Sequence, residues 1–249
     1  MKITKIIAIA SAAVLMIACS GASTKKEGSK AVRDLLPNKS FADSAAYLLG
    51  VNFGLVITQN NFDDMDLAQI RKGMNDALKA KGNPGDSAFA KQFKIDPNEM
   101  NMVLNTYAQK VMAYEGALNK EKGNKFRKEF MAKNNADSTL TGIVYLIQDS
   151  GNGVRATSDR DTVRVNYRGT LIDGTVFDQN DDITFPLNRV ISGWTEGMKL
   201  VGEGGKITLV IPAEMAYGER GPQTIGVNST LVFDVDLLEV RPFVAPTEE

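Results

Sequence analysis

The chain has 249 residues, an ordinary apolar fraction, and 29 basic against 30 acidic side chains. That length makes two domains the natural expectation, and near-neutral charge without a basic stripe argues against nucleic acid as a partner. Histidine is absent and cysteine occurs once, at Cys19. A histidine general base, a histidine-ligated metal and a disulfide within the chain are therefore excluded, and no metal or cofactor is expected.

Residues 1–18 carry Lys2 and Lys5 ahead of an apolar run from Ile6 to Ala18. This is the layout of a secretory signal, too short for a transmembrane helix. The run ends in Met16-Ile17-Ala18-Cys19, which resembles a bacterial lipobox and makes Cys19 the expected lipidation site. The alternative is a plain signal peptide with Cys19 incidental. Lipidation would anchor the chain to a membrane of the cell envelope, most simply the outer membrane on its periplasmic side. Residues 19–38, rich in Ser, Lys, Gly and Ala, read as a flexible tether.

Residues 39–137 have helical periodicity. Phe41, Ala45, Leu48, Val51 and Leu55 recur at three- and four-residue steps in a first helix ending near Gln59. Asp66 is the expected N-cap of a second helix carrying Leu67, Ile70, Met74 and Leu78, which Lys81 to Gly85 ends. Asp96, Pro97 and Glu99 mark the start of a third, long helix. Met100, Leu104, Tyr107, Val111, Tyr114 and Leu118 follow as a heptad seam. Gly116 and Gly123 weaken its continuation towards Phe126 and Phe130. The charged stretch from Lys120 to Glu129 reads as a solvated helix face. A helical unit with an apolar seam packs on itself or on a second copy.

From about residue 138 the period becomes alternating. Ile143 to Gln148, Val163 to Tyr167, Lys206 to Ile211 and Thr230 to Val240 read as strands, and Asp173-Gly174 as a hairpin turn before Thr175-Val176-Phe177. Gly193 to Leu200 reads as one short helix. The fold class is α+β: an all-helical arm, then an antiparallel sheet curved around one helix over residues 138–241, with 242–249 as a tail.

Five stretches of this second region stand in a recognisable order: Val165-Asn166-Tyr167-Arg168-Gly169, Asp173 to Asp178, Val190-Ile191-Ser192-Gly193-Trp194, Ala216-Tyr217-Gly218, and Leu231 to Val235. Together they resemble the FKBP-type peptidyl-prolyl cis-trans isomerases, and the helical arm is similar in layout to that of Mip-type envelope members. The resemblance implies a homodimer intertwined through the arm, against a monomeric helical cap. It implies catalytic roles for Tyr167, Asp178, Ile191, Tyr217 and Phe233, and substrate contacts from Phe177, Ile183, Val190, Trp194 and Ile225. Ile183 stands where many members carry a phenylalanine, Val227 where a proline is common. Implied partners are proline-containing unfolded envelope proteins, and macrolides of the rapamycin class are further candidate ligands. On alternation alone, Phe177, Val190 and Phe233 would be ordinary core. A dimeric chaperone-like binder with little isomerase activity is the competing reading. Rotation about an amide makes and breaks no covalent bond, so the missing histidine is no obstacle to an isomerase.

Overall fold

A computed structural model describes residues 37–60, 62 and 64–245. The signal segment, Cys19 and most of the tether lie outside the described residues. The chain divides into two units between Ala108 and Gln109.

The first unit is helical. It contains α1 (Lys39–Gln59), α2 (Leu67–Lys79), the short α3 (Ser87–Ala90) and the start of α4 (Met100–Asn134). Side-chain caps satisfy orphan amides at the helix starts. Asn38 accepts from the Phe41 N–H at 2.9 Å and Asp66 from the Ala68 N–H at 2.7 Å. Asp96 accepts from the Asn98 N–H at 2.9 Å, and Pro97 opens a 3₁₀ turn (Pro97–Glu99) that leads into α4. None of α1 is buried. Phe41, Leu48 and Leu55 are each more than half exposed, at 65%, 63% and 53%. By length and hydropathy α1 would also suffice to cross a membrane. On the seam of α4, Leu104, Tyr107, Val111 and Leu118 are half-buried, whereas Met100 and Tyr114 are exposed.

The second unit holds the rest of α4 and a six-stranded sheet. The strands are β1 (Asp137–Ser138), β2 (Val144–Asp149), β3 (Thr162–Leu171), β4 (Val176–Pro186), β5 (Lys206–Ile211) and β6 (Leu231–Arg241). Their order is β1-β2-β5-β6-β3-β4, every pair antiparallel. Helix α4 stops at Asn134. There Asn135 adopts φ 50° and the Ala136 N–H bonds the Met131 carbonyl at 3.1 Å, a Schellman closure with asparagine in the usual glycine position. At the Asp173-Gly174 hairpin Gly174 takes φ 88°, which an L side chain resists.

The alternation of β6 buries Leu231, Phe233, Val235 and Leu237. They meet Val163 and Val165 of β3, Ile207, Leu209 and Ile211 of β5, and one short helix, α5 (Ser192–Gly197), with Met198 just beyond it. Two glycines let α5 lie this close. A Cβ on Gly193 would stand 2.4 Å from the Ile211 Cγ2, and one on Gly197 2.4 Å from the Leu209 Cδ1. That i, i+4 pair turns the α5 backbone to the sheet and leaves Trp194 on its flank.

Candidate active site

Trp194 is the hub of an aromatic cluster. Its ring meets Tyr167 at 5.2 Å, Phe233 at 5.2 Å and Phe185 at 5.4 Å between centroids, all near edge-to-face. Phe177 meets Phe233 at 5.5 Å. Such T-shaped contacts are the favoured aromatic geometry and hold each ring in place. Above the cluster opens a cavity of about 300 Å³ lined by Tyr167, Phe177, Asp178, Phe185, Arg189, Val190, Ile191, Trp194, Tyr217 and Phe233.

The register of the sheet assembles this lining. Facing residues of paired strands share a face. Gly169 of β3 faces Phe233 on one side and Asp178 on the other. Having no side chain, it leaves room for two rings, since a Cβ there would lie 2.8 Å from both Phe177 and Phe233. Tyr167 faces Asn180, but Val165 faces Ile183, so β4 carries an extra residue between them. Asp182 sits in that bulge with φ 55°. Strand side chains alternate with period two, so without the bulge Asp178 and Asn180 would lie on the opposite face from Ile183 and Phe185. With it, all four share the face of Tyr167.

The polar edge follows directly. The Tyr167 hydroxyl donates to the Asp178 carboxylate at 2.6 Å and accepts from the Asn180 amide at 3.2 Å. Burial first, and the Asp178 carboxylate next, push the Tyr167 hydroxyl above its ordinary pKa, so it is a protonated donor at neutral pH. Opposite, Ile191 caps α5 and its carbonyl accepts the Trp194 and Thr195 N–H groups at 2.9 and 3.2 Å. Its own N–H has no backbone acceptor among the described residues. The cavity thus combines apolar walls, one tyrosine–carboxylate pair and one free amide donor. Among the described residues no cluster suited to a metal occurs.

The family model for FKBP-type peptidyl-prolyl cis-trans isomerase matches residues 153–238, and the model for the domain amino terminal to it matches residues 42–147. The FKBP-type peptidyl-prolyl cis-trans isomerase FkpA of Escherichia coli K12 is 38% identical over 215 residues, covering 82% of this chain and 77% of that one. This chain belongs to the FKBP-type peptidyl-prolyl cis-trans isomerases. The FkpA of Aeromonas hydrophila is 34% identical over 235 residues, covering 90% of this chain and 86% of the relative. The crystal structure of E. coli FkpA aligns with a TM-score of 0.65 at 36% identity, over 83% of this chain and 99% of that one. The helical region followed by an antiparallel six-stranded sheet with a short helix is the FkpA fold. The activity of this FKBP-type isomerase is rotation of the peptide bond before proline.

Eight of the ten pocket residues expected from the sequence line this cavity: Tyr167, Phe177, Asp178, Val190, Ile191, Trp194, Tyr217 and Phe233. Ile183 and Ile225 do not. Ile183 packs against the core one step along β4, and Phe185, two residues on and on the same face, supplies the wall instead. Ile225 is buried and borders a separate cavity with Leu171, Ile172 and Thr230. Sequence reasoning missed Phe185 and Arg189, although the i, i+2 step from Ile183 was a signal for the former. It also missed Asn180, whose place depends on the bulge.

Proposed function

We propose that the cavity over Trp194 is where this isomerase turns Xaa-Pro bonds, with the pyrrolidine ring against Trp194, Phe233, Phe185 and Val190. The observation that carries this is the pairing of an aromatic floor with two isolated polar groups, the Tyr167–Asp178 hydrogen bond and the unpaired Ile191 N–H. The uncatalysed barrier is about 20 kcal/mol because resonance makes the planar amide partly double-bonded. The planar form is charge-separated and water stabilises it. Removing that water favours the twisted state. The Ile191 N–H and the Tyr217 hydroxyl hold carbonyls flanking the proline, so one side of the bond is fixed while the other rotates. The rotating carbonyl moves past Tyr167 and Asp178, which act on it electrostatically. Asp178 is an acceptor throughout and transfers no proton.

Asp178→Leu and Phe233→Ala are each expected to lower kcat/KM on a short Xaa-Pro peptide by about tenfold or more, the equivalent of one lost polar or apolar contact in the transition state. An unchanged far-ultraviolet circular dichroism spectrum and a cooperative thermal transition would show the domain folded. Full turnover in both variants overturns the assignment. A rapamycin-class macrolide filling the same cavity competes with the peptide and quenches or shifts Trp194 emission.

The setting belongs to the same proposal. The signal segment and the lipobox-like Cys19 support a location in a bacterial cell envelope with a lipid anchor, and proline-containing unfolded proteins are the proposed clients. The exposed apolar surface of α1 supports a homodimer, because that surface is costly to leave in water. Asp43 and Asn52 within α1 favour a protein surface over lipid as its cover. Sedimentation of the chain from Ser20 onward checks the dimer, and loss of membrane association in Cys19→Ser checks the anchor.

A further inference from the structure

The glycines that interrupt α4 are the two buried positions of that helix. Both face the segment that runs from Tyr217 into β6. A Cβ on Gly116 would lie 2.8 Å from the Asn228 amide nitrogen, and one on Gly123 2.1 Å from the Thr230 hydroxyl. They are seven residues apart, two helical turns, and so share a face. Between them the Asn119 amide donates to the Val227 carbonyl at 2.9 Å. Lys120 reaches Glu214 at 3.1 Å, on the approach to Tyr217.

The contact continues into the cavity. Asn228 is 7% exposed with φ 52°, and its N–H donates to the Gly218 carbonyl at 2.8 Å. Gly218, with φ 55°, directly follows Tyr217, which lines the cavity. The Ser229 hydroxyl bonds the Ile225 carbonyl at 2.6 Å and closes the loop on itself. Asn228 therefore has the helix on one side and the Tyr217 turn on the other. Asn228 and Gly218 both stand in the left-handed region, which asparagine tolerates and glycine adopts freely, so the Asn228–Gly218 hydrogen bond sets the turn.

We propose that residues 109–134 of α4 are a positioning element of the isomerase site, holding Tyr217 over the cavity through Gly116, Asn119 and Asn228. The inference rests on the substrate-binding role proposed for Tyr217. Gly116, Asn119 and Asn228 touch no substrate and act only by placing the turn that follows it. Part of the helix joining the two units then belongs functionally to the pocket.

Gly116→Ala tests this with opposed signs. Alanine is the better helix former, so an effect confined to the helix leaves turnover unchanged and raises thermal stability. On the proposal, the buried Asn228 side chain has no room to swing away from the added Cβ, which also meets the Val227 Cγ2 at 3.5 Å, so the strain passes to the turn that carries Tyr217. The mature chain then loses about tenfold in kcat/KM on a short Xaa-Pro peptide, since a misplacement of about 1 Å can cost about a hundredfold. Trp194 emission stays native. Gly116→Ala combined with Asn228→Gly removes the opposing side chain and keeps the backbone N–H, at a position where glycine accepts the φ. It is expected to recover turnover to within about twofold. Tyr217→Phe separates the two readings. If it reduces turnover while Gly116→Ala does not, or if the double variant fails to recover, the positioning role is overturned and the site stands. If Tyr217→Phe is fully active, the role of Tyr217 is overturned, and the positioning proposal with it.

Discussion

The helices before Ala108 and the sheet after Asp137 handle apolar surface in opposite ways. In α1, aromatic and aliphatic residues occur on every side and none is buried, although the helix is well capped at Asn38. In β5, five consecutive residues from Ile207 to Ile211 are buried. The capping and periodicity of α1 suffice to specify a helix but leave nearly all of its apolar side chains exposed among the described residues, with Ile57 half-buried. The sheet closes its core locally because β5, β6 and β3 are adjacent and α5 lies directly on them. A helix can be legible in sequence and still depend on a partner for its stability, whereas the sheet unit carries its own core.

That contrast predicts very different responses to mutation. The largest is expected at Leu209, fully buried and in contact with the α5 backbone at Gly197. Leu209→Ala should destabilise the sheet unit by about 2–5 kcal/mol in urea titrations followed at Trp194. A loss below 1 kcal/mol would mean that the core relaxes as freely as the arm.

Next comes Asp161, buried at the start of β3. Its carboxylate accepts the Thr157, Ser158 and Phe243 N–H groups at 2.7, 2.8 and 2.8 Å, tying the C-terminal strap to the sheet. Asp161→Ala leaves those donors unpaired and is expected to cost about 1–3 kcal/mol in the same titration. Leu48→Ser, on exposed α1, should move the Trp194 midpoint by no more than about 0.5 kcal/mol. A larger shift would show that stability of the sheet unit depends on α1.

The smallest effect concerns pH. Arg241 first and Arg164 second hold the Glu239 carboxyl at about 2, well below its ordinary value of 4.5. A depressed carboxyl stabilises the fold above its unfolded pKa. Its contribution is therefore intact above pH 4.5 and lost as pH falls towards 2. Both arginines and Glu239 are solvent-accessible, so the slope is shallow and weakens with salt. Glu239→Gln should flatten it in acid titrations at low ionic strength, and an unchanged slope would assign the acid sensitivity to other carboxyls.

Much of the lining of the candidate site was legible in the sequence. Tyr167, Phe177, Asp178, Val190, Ile191, Trp194, Tyr217 and Phe233 sit in short stretches whose order is informative, and all eight line one cavity. Ile183 and Ile225 do not line it. Ile183 and Phe185 share a face of β4, so position along the strand separates them, and the bulge brings Asp178 and Asn180 to that same face. The glycines of α4 were visible only as flaws in a helix. Their meaning came from what lies against them, the side chains of Asn228 and Thr230 more than a hundred residues later.

The sequence by itself determined the local elements, because capping, periodicity and turn chemistry act within a few residues. It also determined the family, because five ordered motifs survive in one chain. Only the tertiary structure decided which side of β4 carries the polar edge, since every side chain in a strand changes face at an extra residue. Only it showed that Gly169, Gly193 and Gly197 make room for rings and for a helix, and that Gly116 and Gly123 bring α4 against the Tyr217 loop. Absent side chains leave no hydrophobic pattern to read, and their effect exists only where another part of the chain fills the space.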